Sequence, residues 1–392
     1  MLMRLLHVIC TTNRESGGPI EALRRIAEVL TKDGNEIHVV SLESEEEAVG
    51  RDLQVPIFAM GSLGKRYRFS PAFAPWVRSN APRYDAVIVH GIWNYSSVGV
   101  WRALREQSTP YFVFTHGMMD PWFREGYPAK HIMKQCYWWL LEGRVLRDAR
   151  SVLFTCEEEM LRARKSFVGH SYREQVVPYG TADPGCDVRE WQAAFYEAYP
   201  ALRGRRYLLF VGRIHPKKGC DILIDAFAQV APLLPDDVQL VFAGPDQSGW
   251  VRALQSRARN LSIERRIHWT GMLTGAAKWG AFASAEAMIL PSHQENFGFV
   301  VAEAMACKTP VLISDKVNIW REVVAAQAGM MESDTAEGTC NLLRRFWELK
   351  EEERMAMGRR AREGFLRHFD IQTTARGYLR TIQSLIENKV PA

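Results

Sequence analysis

Two doubly wound α/β domains, each built on a parallel β-sheet, are the architecture that this chain predicts, and three observations carry the prediction. Its 392 residues suit two domains of ordinary size rather than one. Short apolar runs alternate with amphipathic stretches of helical period, as in a parallel sheet with crossover helices. The alternation pauses once, in a polar stretch at Tyr179–Arg206, and then restarts.

In the first series, strands are expected at Leu5–Cys10, Glu36–Ser41, Asp85–His90, Tyr111–Thr115, Ser151–Thr155 and Gln175–Pro178. Ile20–Lys32 reads as a helix with Ile20, Leu23, Ile26, Ala27 and Leu30 on one face, and Gly34 stops it. The second series has strands at Tyr207–Val211, Val238–Ala243, Arg266–Trp269, Ala287–Leu290 and Val311–Ser314, with helices at Asp221–Ala231, Trp250–Asn260 and Phe299–Cys307. Charged helices at Thr335–Trp347 and Glu351–His368 cover it. Asp370–Asn388 carries Tyr378, Leu379, Ile382 and Leu385 at helical spacing. The expected domains are 1–180, joined by a C-terminal helix within 371–392, and 181–370. Ligands of open α/β sheets bind beyond the carboxyl ends of the strands, so a site in the cleft between two such domains is expected.

Composition is that of a globular protein, 47% hydrophobic and 24% charged. Seven scattered cysteines with no CxxC pair argue against a disulfide framework or a zinc site. The amino-terminal apolar run is too short for a signal peptide, and no stretch approaches the roughly 20 apolar residues of a membrane span. A cytoplasmic location is expected, with peripheral contact at the inner face of the cytoplasmic membrane left open. Net charge is only +5, but Lys65, Arg66, Arg68, Arg78 and Arg83 fall in an acid-free stretch interleaved with Tyr67, Phe69, Phe73 and Trp76. Such a run is a solvated loop or a face for an anionic surface. No nucleic-acid module accompanies it, and no nucleic-acid partner is expected.

The segment after Ala287–Leu290 delivers Glu295, Asn296, Phe297 and Gly298 into a turn that opens a helix, with Glu303 further along it. Free amides and the positive end of a helix dipole suit a diphosphate, while carboxylates suit sugar and ribose hydroxyls. The plainer alternative makes Glu295 a complement to the dipole and Glu303 a surface residue. Similarly, Leu208–Gly219 ends a strand in Gly212 and Arg213 and turns through Pro216 to Lys217 and Lys218. These cations match a diphosphate leaving group, or form an exposed basic loop. In the first βα turn, Gly17 and Gly18 allow backbone to approach a phosphate. GxGxxG and GxxxxGK[ST] are both lacking, so nicotinamide-dinucleotide and P-loop chemistry are not supported.

His90 and His116 each end an apolar strand and precede glycine, a position that favours exposure at the ligand-binding edge. Asp120 reads as a cap for the helix begun at Pro121. Lys134, Trp138 and Trp139, among Lys130, Arg144 and Arg147, lie on an aromatic, basic helix. It either meets a membrane and collects a lipid-linked acceptor, or packs its tryptophans on the sheet.

Gly212-Arg213-Ile214 with Lys218-Gly219, Phe242-Ala-Gly-Pro245, Trp269-Thr-Gly271, and Glu295-Asn-Phe-Gly298 with Glu303 together resemble the retaining glycosyltransferases of family 4 across essentially the whole chain. The resemblance implies the GT-B fold, two Rossmann-like domains facing across a cleft. It also implies a nucleotide-diphosphate sugar co-substrate, GDP- or UDP-linked, and no metal or other cofactor. The hexose would pass to a glycan or lipid-linked saccharide, as in bacterial polysaccharide biosynthesis. By resemblance, Arg213 and Lys218 bind the diphosphate, Glu303 the ribose, and Glu295 the transferred sugar. The amides of Asn296, Phe297 and Gly298 assist, and Gly212 and Gly271 line the donor side. Gly17 and Gly18 match the amino-terminal phosphate loop, and His116 the histidine near the reacting sugar carbon.

Where relatives often read Pro-Asn-Gly-Val-Asp, this chain has Pro178-Tyr-Gly-Thr-Ala-Asp183, which puts the linker's contacts in question; Lys308 replaces a frequent glycine. Two rivals remain: a non-catalytic sugar-nucleotide-binding subunit, and a GT-B sugar-nucleotide epimerase. Arg213, Lys218, Glu295 and His116 together argue against the first. The form of the Glu-x7-Glu element argues against the second.

Overall fold

The computed structural model describes residues 2–13, 17–48, 53–64, 66–185 and 187–388. Lys65 of the basic patch and Cys186 lie outside the described residues, as do 14–16 and 389–392. The chain forms two compact units, Met1–Gly180 with Ile371–Ala392, and Thr181–Asp370.

The first unit holds a seven-stranded parallel sheet in the order β3-β2-β1-β4-β5-β6-β7. Its strands are β1 Arg4–Ile9, β2 Glu36–Ser41, β3 Ile57–Ala59, β4 Ala86–His90, β5 Tyr111–Phe114, β6 Ser151–Phe154 and β7 Glu174–Val176. The second unit's parallel sheet runs β10-β9-β8-β11-β12-β13. These strands are β8 Tyr207–Val211, β9 Gln239–Ala243, β10 Ile267–Gly271, β11 Ala287–Leu290, β12 Val311–Ser314 and β13 Gly329–Glu332. Central strands such as β4, β5, β9, β11 and β12 are buried along their whole length, which explains why they read as unbroken apolar runs. In each sheet the order reverses once, between β1 and β4 and between β8 and β11. Those reversals are the places where an open sheet parts to admit a ligand.

Edge strands β3 and β13 are absent from the sequence prediction. Each is only three or four residues long and has no fully buried position. The helix Val188–Ala198 also goes unpredicted within the polar stretch, because just Trp191 and Phe195 are buried. It packs against the helix Gly275–Ala283 so closely that a Cβ on Gly280 would sit 2.0 Å from the Trp191 carbonyl oxygen. The last helix, Ile371–Glu387, belongs to the first unit. Arg376 pairs with Asp33 at 2.8 Å, and the Arg150 guanidinium donates to the Leu385 carbonyl at 2.6 Å, the end where last-turn acceptors are open. No described helix is long and apolar enough to cross a membrane, and the described cysteines are all free.

Candidate functional site

In the second unit the two strands flanking the reversal, β8 and β11, lead directly into the segments that carry the predicted cations and carboxylates. After β8 the chain makes a short turn, Pro216–Lys218, ended by Gly219 with φ 67°. A Cβ at Gly219 would lie 2.3 Å from the Pro291 carbonyl oxygen, so glycine is required both by the left-handed backbone and by the close approach. That approach lays the turn against the exit of β11, and the His293 amide donates to the Lys217 carbonyl at 2.9 Å. Lys218 thereby meets Glu295 in a direct ion pair with both side chains largely buried.

Glu295 is fixed from its other side as well. Its amide donates to the Lys316 carbonyl at 3.0 Å, and its carbonyl accepts from the Asn318 amide at 3.1 Å, so the loop after β12 holds its backbone. Gly298 caps the helix Phe299–Ala306 in the left-handed region, and its Cα faces the Glu295 side chain. Burial pulls the Lys218 ammonium down to about 7, and the neighbouring cations Lys217 and Arg213 push the same way. A second anion in the site would meet the cations Lys218 and Arg213, with Lys217 nearby.

Glu303 is only 3% exposed, and its carboxylate is held by Lys278 at 2.8 Å. Lys278 comes from the helix Gly275–Ala283 and lies over the Trp279 ring at 5.0 Å. Nothing in its surroundings in the sequence marks it, since the tie to Glu303 exists only once the two helices are side by side. Gly212 and Gly271 close the strand exits on either side of β9. The Gly212 amide donates to the Ala243 carbonyl at 2.9 Å, and the Gly271 carbonyl accepts from the Gly244 amide at 2.7 Å.

In the first unit Gly17 is the N-cap of the helix Gly18–Lys32. The strand exit before it is anchored by Glu43, buried at 1% exposure, which accepts from the Thr12 amide and hydroxyl at 2.6 and 2.7 Å and from the Thr11 hydroxyl at 2.5 Å. His116 follows β5 with φ 50°, a strained backbone for a residue other than glycine. Its flanks are clamped by Glu159, whose carboxylate accepts from the Thr115 hydroxyl at 2.9 Å and the Gly117 amide at 2.7 Å on one side, and from the Thr155 amide and hydroxyl on the other. Burial raises the Glu159 carboxyl, and these donors oppose it. Glu157, Glu158 and Glu159 together look like a solvated helix start, which hides that role.

Three expectations need correction. His90, expected at an exposed edge, is only 3% exposed, because its ring is sandwiched between those of His7 and His116. Trp138, offered as a membrane contact, is fully buried and stacks on Phe167 with centroids 5.0 Å apart. Lys134 turns inward, with Nζ 4.5 Å from the centroid of Trp93, and burial with Lys130 brings it down to about 8. Trp139 does remain 48% exposed, beside Ile132, Met133 and Leu140 at 65%, 67% and 65%. The outer face of the helix Pro128–Tyr137 and of the π-helical turn Trp138–Glu142 is therefore the apolar one. Asp120 precedes Pro121, the N-cap of the helix Trp122–Gly126; it accepts from the Trp122 amide at 2.8 Å and also pairs with Arg162 at 3.2 Å. In the linker, Asp183 takes both arms of Arg362 at 2.9 and 2.6 Å.

Comparisons with known proteins bear on the family and the fold. The model of the glycosyl transferase 4-like domain matches residues 17–180, and that of the glycosyl transferases group 1 matches 196–364. D-inositol 3-phosphate glycosyltransferase of Gordonia bronchialis is 34% identical over 258 residues, 62% of this chain and 55% of that protein. Its counterpart in Kineococcus radiotolerans is 31% identical over 221 residues, 51% of this chain and 50% of that protein. The matched segments thus span about half the length of these relatives. In fold, the chain is similar to sucrose-phosphate synthase from Thermosynechococcus elongatus, with a TM-score of 0.75 at 18% identity over 98% of this chain and 100% of that one. It is likewise similar to HepE of Anabaena in complex with UDP and glucose, with a TM-score of 0.73 at 18% identity over 97% and 100%. Two parallel sheets, each with one reversal, and family matches to both halves lead to one conclusion: this chain belongs to glycosyltransferase family 4, with the GT-B fold.

Proposed function

We propose that this chain transfers a hexose from a nucleotide-diphosphate sugar to a glycan or lipid-linked saccharide, with retention of configuration and without a metal ion, in bacterial polysaccharide assembly. The observation that carries the reading is the buried Lys218–Glu295 pair at the two strand exits flanking the reversal of the second sheet. Lys218 and Arg213 meet the diphosphate, and the helix start at Phe299 adds its dipole. As the bond between sugar and phosphate breaks, these groups stabilise the negative charge that develops on the leaving group, the role a metal plays elsewhere. Glu295 orients the sugar through its hydroxyls, and Glu303, tethered by Lys278, takes the ribose. A phosphate oxygen of the departing diphosphate accepts the acceptor's proton on the same face, which preserves the anomeric configuration. His116 serves the reacting sugar, and Gly17 and Gly18 the phosphate. The related structure with UDP bound supports UDP-sugars as the first donors to test, followed by GDP-sugars.

The outward apolar stripe of Ile132, Met133, Trp139 and Leu140, flanked by the exposed cations Arg124, Lys130 and Arg144, supports contact with an anionic membrane carrying the acceptor. A transfer assay tests the donor assignment. Lys218→Ala and Glu295→Ala should each lower kcat/KM on the order of a hundredfold or more, as lost transition-state contacts do. Unchanged transfer in both variants would remove the assignment.

A further inference from the structure

Three histidines from three strands form one hydrogen-bonded chain in the first unit. His7 lies inside β1, His90 ends β4, and His116 follows β5. Parallel register sets Ile9 beside His90 and His90 beside Phe114, so the rings step across neighbouring strands, starting at the sheet's reversal. His7 Nδ1 is 2.9 Å from His90 Nε2, and His90 Nδ1 is 3.1 Å from His116 Nε2. The rings stack at 5.2 and 5.3 Å between centroids. Tyr179 ends the chain, its hydroxyl 3.4 Å from His116 Nδ1.

Burial holds all three imidazoles well below the ordinary histidine range, His90 at about 3, so the chain is neutral at physiological pH. Each N···N contact holds one proton, and each neutral ring brings one. If both contacts took their proton from His90 it would be a cation; if neither did it would be an anion. Two arrangements remain. Either every ring carries its hydrogen on Nδ1, pointing toward Tyr179, or every ring carries it on Nε2, pointing toward His7. The second would leave a buried N–H at His7 Nε2, which has no hydrogen-bond partner among the described residues. An orphaned N–H costs more than an idle lone pair, so the all-Nδ1 arrangement is favoured.

We propose that His7 and His90 are positioning residues that, with Tyr179, set the tautomer and orientation of His116 through a coupled chain of neutral imidazoles. A change in the hydrogen bond at one end is felt two rings away, and His116 presents one fixed ring geometry to the reacting sugar. The role assigned to His116 rests on the transferase reading, whereas the coupling stands on the geometry alone.

Ring-nitrogen NMR of the full chain with isotope-labelled histidine tests the coupling directly. The expected result is one shared tautomer for His7, His90 and His116, and in Tyr179→Phe a shift of all three rings together. Mixed tautomers, or a change confined to His116, would overturn the coupling. For the positioning role, His90→Phe should lower kcat on the order of tenfold with the donor's KM unchanged, and His90→Gln, which keeps a donor and an acceptor, should recover part of the loss. A kcat equal to wild type in folded His90→Phe would overturn that role. Should the wild type transfer no sugar from any donor, the transferase reading fails while the NMR result still decides the coupling.

Discussion

Lys218 and Glu295 are 77 residues apart in sequence and in contact in the structure, and the residue that brings them together is Gly219. A buried ammonium paired with a carboxylate is costly to assemble in an apolar setting, so it persists where further charges complete it. Here Lys217 and Arg213 lie close enough to act on the Lys218 ammonium, and such a cluster of cations is what a diphosphate binds. Glu142 shows the opposite balance. Fully buried in the π-helical turn, it is pushed up to about 7 by burial, against the Ser97 hydroxyl, the Trp93 amide and the charge of Lys134. A carboxyl whose folded pKa is raised adds stability that is complete below about 4.5, its unfolded value, and is lost as pH rises through 7. Thermal melts should therefore show Tm falling between pH 5 and 7.5 in the wild type, with a shallower fall in Glu142→Gln. Equal slopes would mean that Glu142 stays ionised throughout.

At the scale of elements, apolar period identified the strands and helices whose burial is continuous, and failed where burial is partial. β1, β4, β8, β11 and Phe299–Ala306 were legible because both faces are covered; β3, β13 and Val188–Ala198 were not, because the two strands are three or four residues long with no fully buried position and the helix buries only Trp191 and Phe195. The helix Pro128–Tyr137 misleads differently. Its aromatic and basic residues were visible, but which face turned outward was not: Trp138 and Lys134 go in, while Ile132, Met133 and Leu140 go out. Vesicle sedimentation should accordingly show that Met133→Glu with Leu140→Glu weakens binding to anionic vesicles at least tenfold, since apolar burial and charge both drive such binding. Trp138→Ala should instead destabilise the fold by about 3–5 kcal/mol, as a large buried aromatic does. Wild-type levels of vesicle binding in the double variant would rule out this face.

For the molecule as a whole, each unit places its candidate residues where its own sheet reverses order: Lys218 and Glu295 after β8 and β11, His7 and His90 on β1 and β4. The second of these clusters was half legible. His90 and His116 stood at strand ends, but His7 lies inside an apolar run, and the only signal was a polar residue where every neighbour is buried. Glu43, Glu159 and Lys278 left no such signal, because their partners come from other elements. The central claim is that the second unit holds a nucleotide-diphosphate donor through Lys218. Calorimetric titration of the full chain with UDP, GDP and their hexose conjugates tests it most directly. One nucleotide series should bind the wild type, and Lys218→Ala should weaken that binding by a factor on the order of ten or more. Equal affinity in the two proteins, or no binding by any member of either series, would contradict the claim.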